Sequence, residues 1–449
     1  MTDTPRWLQA AVLCMTLALA PASAFAVYGD ARPDAPELAA RGKSAVGVRT
    51  LDVLHRDQLN ILAAQPGQPI PHYDRPLRLE IWYPARLASG QRQATRYSDV
   101  LGTGANDPQR PNTPFQFDGR ATRDAAPDGQ VHPLVILSHG YPGSRLQMSY
   151  LTEFLASHGY VVVAIDHTES TRADKAGFAS TLLNRPLDIL FVLQRIDELA
   201  KPASGSFLAG TVDTAHTALM GYSMGGYGVL NAAGVGVSPV AVGLVPGGAL
   251  QARAASEPSF QQHADARIRA LVAFAPWGGR QGIFAADSLA RLRVPSLFIA
   301  GDQDDVAGYA DGIHRLFEGA QAAERYLLVY QNARHNVAPN PPPPAASANP
   351  DDFSAYAEPA WDSSRINNIN QHFVLAFLDQ QLRGIDRHAY LELTPLAADG
   401  VWSRDAQGQP KADDSYWKGF PRRSALGLEF HHLAPGQAAS APTPERVKP

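Results

Sequence analysis

The sequence predicts an α/β architecture: a mostly parallel sheet with helices on both faces and an antiparallel N-terminal edge. Two observations carry this. From residue 133 onward, short continuous apolar runs alternate with helix-length amphipathic stretches. Strands of a parallel sheet are covered on both faces, so they read as unbroken apolar runs. Ahead of them, Val46–Leu54 and Leu77–Tyr83 carry apolar residues at every second position, the pattern of half-buried antiparallel strands.

Taken in order, residues 1–26 predict a secretory signal peptide. Arg6 supplies the charged start, Leu8–Ala20 the apolar run, and small residues give cleavage sites after Ala24 or Ala26. The run is short for a membrane span of about 20 residues, so cleavage rather than a stable membrane anchor is expected. The single cysteine, Cys14, lies within it. The mature chain would then have no thiol, which excludes disulfides, a catalytic cysteine and thiolate metal sites. Residues 101–130 are rich in Asn, Pro and Gly and read as a surface loop.

The central strands are then Pro133–Ser138, Tyr160–Ile165, Thr217–Tyr222, Leu271–Ala275, Ser296–Ala300 and Tyr326–Tyr330. Gln147–His158, Leu187–Leu199 and the closing stretch Asn367–Leu382 read as helices. These elements predict one domain over 27–434. Residues 234–267 form a possible cap insertion, and about 387–434 a C-terminal extension whose Trp417, Phe420, Leu426, Leu428 and Phe430 could pack back. A disordered tail follows from 435. The chain has 449 residues, is 45% hydrophobic and 18% charged, and has a formal net charge of -4. This balance gives no electrostatic reason to expect nucleic acid as a partner.

The chemistry begins at Gly221-Tyr222-Ser223-Met224-Gly225-Gly226, a G-x-S-x-G at the end of a predicted strand with a helix-compatible stretch behind it. A serine on a sharp strand-to-helix turn needs strained backbone angles and small neighbours. Such a serine needs a histidine as base and a carboxylate to orient it, on loops after later strands. After Ser296–Ala300 comes Gly301-Asp302-Gln303-Asp304-Asp305. Asp304 has the favoured spacing, with Asp302 and Asp305 as competitors. After Tyr326–Tyr330 comes His335. His158, His314, His372, His431 and His432 fall in helices or the tail. Acyl transfer also needs two backbone N–H groups facing the oxyanion. Met224 and Tyr141, the latter in the loop Ser138–Arg145, are the candidates. The Tyr141 ring would also flank the acyl group.

Together, His139-Gly140-Tyr141-Pro142-Gly143, Leu155–Tyr160, Val212–Ala215, Gly221–Gly226 and Ala275-Pro276-Trp277 resemble two groups of α/β-hydrolase serine esterases. One is the platelet-activating-factor acetylhydrolase and dienelactone-hydrolase-like group; the other is the bacterial cutinase-like polyester hydrolases. The resemblance spans roughly 133–337. It implies the α/β-hydrolase fold, a Ser223–Asp304–His335 triad, an oxyanion hole from Tyr141 and Met224, and Trp277 on the acyl side of the cleft. The chain departs from the acetylhydrolases in carrying Ala275 where they place the acid. It departs from the cutinase-like enzymes in its long N-terminal extension and in the long stretch 234–267, which could fold over the cleft. That predicts small or short-acyl esters as substrates. No metal-ligand spacing and no phosphate-cradling motif occurs in the catalytic region, so no cofactor or metal is expected. The rivals are a polyester or lipase-type hydrolase, amide hydrolysis by the same triad, and a non-catalytic binding protein on the same fold.

Overall fold

The computed structural model describes residues 27–438, apart from 105–106 and 262–263. The predicted signal peptide, Cys14 and most of the predicted tail lie outside the described residues. The chain opens with two hairpins, β1 (Ala45–Leu59) with β2 (His72–Arg86), and β3 (Thr95–Leu101) with β4 (Thr113–Gly119). The short strands β5 (Thr122–Arg123) and β6 (Ala126–Pro127) follow. Then come β7 (His132–Ser138), α1 (Ser149–Ser157), β8 (Val161–Asp166), α2 (Phe178–Ala200), β9 (Val212–Tyr222) and α3 (Met224–Ala232). β10 (Ile268–Phe274), β11 (Ser296–Gly301), β12 (Arg325–Tyr330), a closing helix (Ser363–Arg383) and β13 (Leu428–Leu433) complete the chain.

One 11-stranded sheet runs β13-β12-β11-β10-β9-β7-β8-β2-β1-β5, with β6 on β2. The strands from β8 to β12 are parallel to one another; β2 and β13 flank them antiparallel. The sheet is mixed and mostly parallel, as its unbroken apolar runs predict. The edge beyond β12 is also antiparallel, because Leu428 and Phe430 enter the core beside Trp417 and Phe420. Leu426 instead faces solvent.

Two sequence expectations are corrected. Residues 101–130 are not simply a loop: Thr113–Gly119 pairs in full register with Thr95–Leu101. Phe115 and Phe117 alternate with polar residues on β4 and meet each other and Tyr97, a period of two that the surrounding Pro and Gly obscured. Second, no described residue of 234–267 lines the cleft. Both its ends sit at the N-terminal end of the parallel strands, since α3 leads away from its start at Met224 and β10 begins at Ile268. There Arg253 ties back to Asn231 through Nε–Oδ1 at 2.7 Å, and Val237 bridges Phe284.

α2 is longer than its periodicity predicts. Pro186 lies inside it, although proline lacks an N–H and leaves the carbonyl four residues back without its helical donor. That carbonyl is Leu182 O, and it accepts from Tyr227 Oη on α3 at 2.8 Å. The neighbouring helix thus replaces the missing bond.

Candidate active site

The loops at the C-terminal ends of the parallel strands meet over the middle of the sheet, where ligands of such sheets bind. β9 ends at Tyr222, and Ser223 turns the chain into α3 with φ 53° and ψ -113°. That left-handed angle is strained for a residue with a Cβ. The neighbouring glycines make the turn possible. A Cβ on Gly221 would overlap Gly225 O, and one on Gly225 would overlap Ser138 O on β7. One on Gly226 would stand 2.7 Å from Pro276 Cα. The Ser223 N–H donates to Phe274 O at 2.9 Å, and the Trp277 N–H to Ser223 O at 3.0 Å, so β10 clamps the turn.

His335 Nε2 lies 2.9 Å from Ser223 Oγ, and His335 Nδ1 lies 2.8 Å from Asp304 Oδ2. The structure thus brings Ser223, His335 and Asp304 into one hydrogen-bonded line from the loops after β9, β12 and β11. Of the three competing acids, Asp302 accepts from the Asn332 N–H at 2.7 Å and Asp305 pairs with Arg334; neither bonds His335. Burial raises the Asp304 carboxyl, but the bond and charge of His335, with the Ala307 and Val306 N–H groups, outweigh it and hold the group below its ordinary value. An ionised carboxylate is therefore available to orient the imidazole and to compensate a proton arriving on it.

Tyr141 and Met224 flank Ser223. The Met224 N–H opens α3, where helical N–H groups have no acceptor within the helix. Among the described residues, neither its N–H nor that of Tyr141 donates to another group. The Tyr141 loop is fixed by groups that no local motif signals. Gly140 N–H donates to Gln147 Oε1 at 3.1 Å. The buried Arg185 of α2 donates to Gly140 O at 3.2 Å and to His139 O. His139 braces this turn: its Nδ1 faces Gly140 O at 2.6 Å, and its Nε2 accepts from the His167 N–H at 3.2 Å.

Beneath this loop lies a second Ser–His–Asp line, fully buried. His167 Nε2 is 2.9 Å from Ser138 Oγ and His167 Nδ1 is 2.9 Å from Asp188 Oδ2. Arg75 Nε adds a bond to Asp188 Oδ1 at 3.0 Å. Burial and the Arg185 charge push the His167 imidazole down to about 4, so it is neutral at pH 7. Ser138 has no exposed surface, so this line braces the fold rather than meeting solvent.

The cavity at Ser223 is about 200 Å³. Tyr141, Tyr222, Ser223 and His335 line it, together with Arg110, Arg172 and other residues of the surrounding loops; no described residue of 234–267 does. Trp277 meets the site through its backbone bond to Ser223. Its ring stands edge-on to Phe178 at 5.2 Å, and Phe178 edge-on to Tyr141 at 5.5 Å. Arg110 and Arg172 were not singled out by sequence, because only the folded loops bring them to the cleft, nor was Phe178, which packs behind Tyr141.

Comparison with known proteins finds ester hydrolases. A PET hydrolase-like family model matches residues 123–247. Cutinase est1 of Thermobifida alba is 25% identical over 214 residues, 47% of this chain and 56% of its own length. Cutinase est2 of the same organism is 31% identical over 106 residues, 24% of this chain and 31% of its own. The bis(hydroxyethyl) terephthalate hydrolase of Streptomyces coelicolor is 25% identical over 202 residues, 45% of this chain and 49% of its own. The chain spans about half the length of most of these curated relatives. Among solved structures, the ferulic acid esterase from Streptomyces cinnamoneus superposes with a TM-score of 0.53 at 19% identity, covering 88% of this chain and 99% of that one; this likeness concerns the fold. Among the described residues no helix is long and apolar enough to cross a membrane. The chain has the α/β-hydrolase fold and resembles the cutinase-like polyester hydrolases.

Proposed function

We propose that this chain is an exported serine hydrolase that cleaves small carboxylic esters through an acyl-enzyme intermediate, with 27–434 as one catalytic domain. The single observation that carries this is the hydrogen-bonded line Asp304–His335–Ser223 opening into a cleft, with Ser223 on a strained turn. Ser223 Oγ attacks the ester carbonyl while its proton passes to His335 Nε2. The tetrahedral oxyanion faces the N–H groups of Met224 and Tyr141, aimed at charge that develops only in the transition state. The C–O bond then breaks, and the leaving alkoxide takes the proton from His335. Water repeats the attack on the acyl-Ser223 ester, with His335 again as base, and releases the acid. Asp304 keeps the imidazole oriented and compensates its positive charge throughout.

A cavity of about 200 Å³ suits a small acyl group, and the apolar run Leu8–Ala20 behind Arg6 supports export. A second reading, polyester hydrolysis, is favoured by the cutinases and the PET hydrolase-like model among the relatives. A series of p-nitrophenyl esters of increasing acyl length, run beside Ser223→Ala, tests both. The expected outcome is turnover greatest for short acyl chains and reduced by about 10⁴-fold or more in the variant. Undiminished turnover in Ser223→Ala would remove the serine mechanism, and rates rising with chain length would favour the polyester reading. No turnover of any ester by folded protein would leave amide hydrolysis by the same triad or a binding protein.

A further inference from the structure

Among the described residues that line the cavity, Arg172 is a strongly buried cation that lacks a counter-charge. It is 3% exposed and lines the cavity beside Ser223 and His335. Its backbone is fixed, because the Arg172 N–H donates to Gly143 O at 3.0 Å and ties the loop after β8 to the Tyr141 loop. Its guanidinium lies over the Tyr356 ring, 4.7 Å from the centroid. Among the described residues none accepts from this guanidinium, and its Nε is buried with no hydrogen-bond partner. Among the described residues no carboxylate stands within ion-pair distance of it. Asp99 feels its charge, but the Asp99 oxygens are taken by Ser144 Oγ at 2.5 Å and the Val100 N–H at 2.8 Å.

The other arginine at the cleft shows the contrast. Arg110 is neutralised by Asp352, Nη2 to Oδ1 at 2.7 Å. Lys175 adds a further cation at the rim, with Nζ 5.6 Å from the centre of the Tyr141 ring. Burying a charge without a partner is costly, and a guanidinium offers two parallel donors that match a carboxylate. An anion entering the cleft would supply the counter-charge that Arg172 lacks.

We propose that Arg172 is a specificity-determining residue that binds the free carboxylate of the substrate, so that the preferred substrates are esters carrying an acid group, as half-esters of dicarboxylic acids do. This rests on the ester-hydrolase reading above. No chemistry is added: the carboxylate anchors the acyl portion while Ser223 attacks the ester carbonyl at its other end.

Monoethyl adipate and ethyl hexanoate share six acyl carbons and differ in the terminal acid, so the test is their kcat/KM ratio, with ethanol release as readout. In the wild-type protein the ratio should favour the half-ester by about tenfold or more, mostly through KM. It should also fall as salt is raised. Arg172→Gln should reduce the ratio at least tenfold, and Arg172→Lys should restore part of it. A wild-type ratio at or below one overturns the proposal even if the variants fail to fold, as does an unchanged ratio in folded Arg172→Gln. Turnover of ethyl hexanoate that requires Ser223 but shows no half-ester preference overturns this proposal alone. Absence of turnover of both esters by folded wild-type protein overturns the ester-hydrolase reading and this one with it.

Discussion

At the scale of single residues, Asp188 shows how much a buried carboxylate can hold. It bonds Arg75 and His167, and through His167 and Ser138 it reaches the strand that carries the Tyr141 loop. Burial works against its ionised form, but Arg75 and His167 outweigh that and keep it well below the usual carboxylate range. Removing one partner of such a pair leaves an uncompensated buried charge. Asp188→Ala should therefore destabilise the protein by about 3–5 kcal/mol, measured by urea unfolding. A loss below 1 kcal/mol would mean that Glu169, whose Oε2 already lies 3.1 Å from Arg75 Nη1, suffices as its partner. Gly225→Ala is expected to be worse for the site than for the fold, since the new Cβ would push against Ser138 O and displace the turn at Ser223. Residues of this kind divide by how their signal is carried. Ser223 follows directly on β9, and Asp304 and His335 lie in the loops after β11 and β12, so strand order and spacing single them out as candidates. Arg172, Arg185 and Phe178 owe their positions to loops and a helix far from them in sequence, and nothing beside them in the chain announces that.

The elements show the same division. The cores of β7 to β12 are apolar runs and are read without the structure, whereas the start of β9 with Asp213 and His216 is not, nor is α2 in full, because Pro186 argues for a boundary. The boundary is absent because Tyr227 Oη supplies the donor that Leu182 O lacks. Tyr227→Phe should therefore cost about 1–3 kcal/mol, the penalty of leaving a buried carbonyl unsatisfied. The matching observation would be faster amide exchange in the first turns of α2. If stability and exchange are both unchanged, water has taken the place of the hydroxyl. The β3–β4 hairpin escaped for the opposite reason. Its alternation is short and framed by turn residues, and only pairing with β3 sets Phe117 against Tyr97, with Phe115 beside it.

For the molecule as a whole, pH dependence follows from buried histidines. Burial and the Arg185 charge hold His167 near 4; burial and the Arg387 charge hold His372 near 3. His139 is likewise lowered by burial and by Arg185. In the unfolded chain these imidazoles bind protons at higher pH than in the native protein. Stability is therefore complete above the unfolded value of about 6.5 and declines as pH falls toward 4, with His167 alone contributing up to about 3 kcal/mol. Urea midpoints at pH 7, 5 and 4 should fall in that order, and a level series would show that these histidines are protonated inside the fold.

The antiparallel strand β13 has another consequence. It covers the backbone of β12 across Arg325–Tyr330, a strand buried on both faces. Bared, that edge would offer a row of unpaired amide and carbonyl groups flanked by apolar side chains, the kind of template on which chains assemble edge to edge. Deleting residues from Leu428 onward leaves Ser223, Asp304 and His335 in the chain yet should produce a protein that self-associates with rising concentration, visible by light scattering. The C-terminal strand thus acts as the molecule's guard against aggregation.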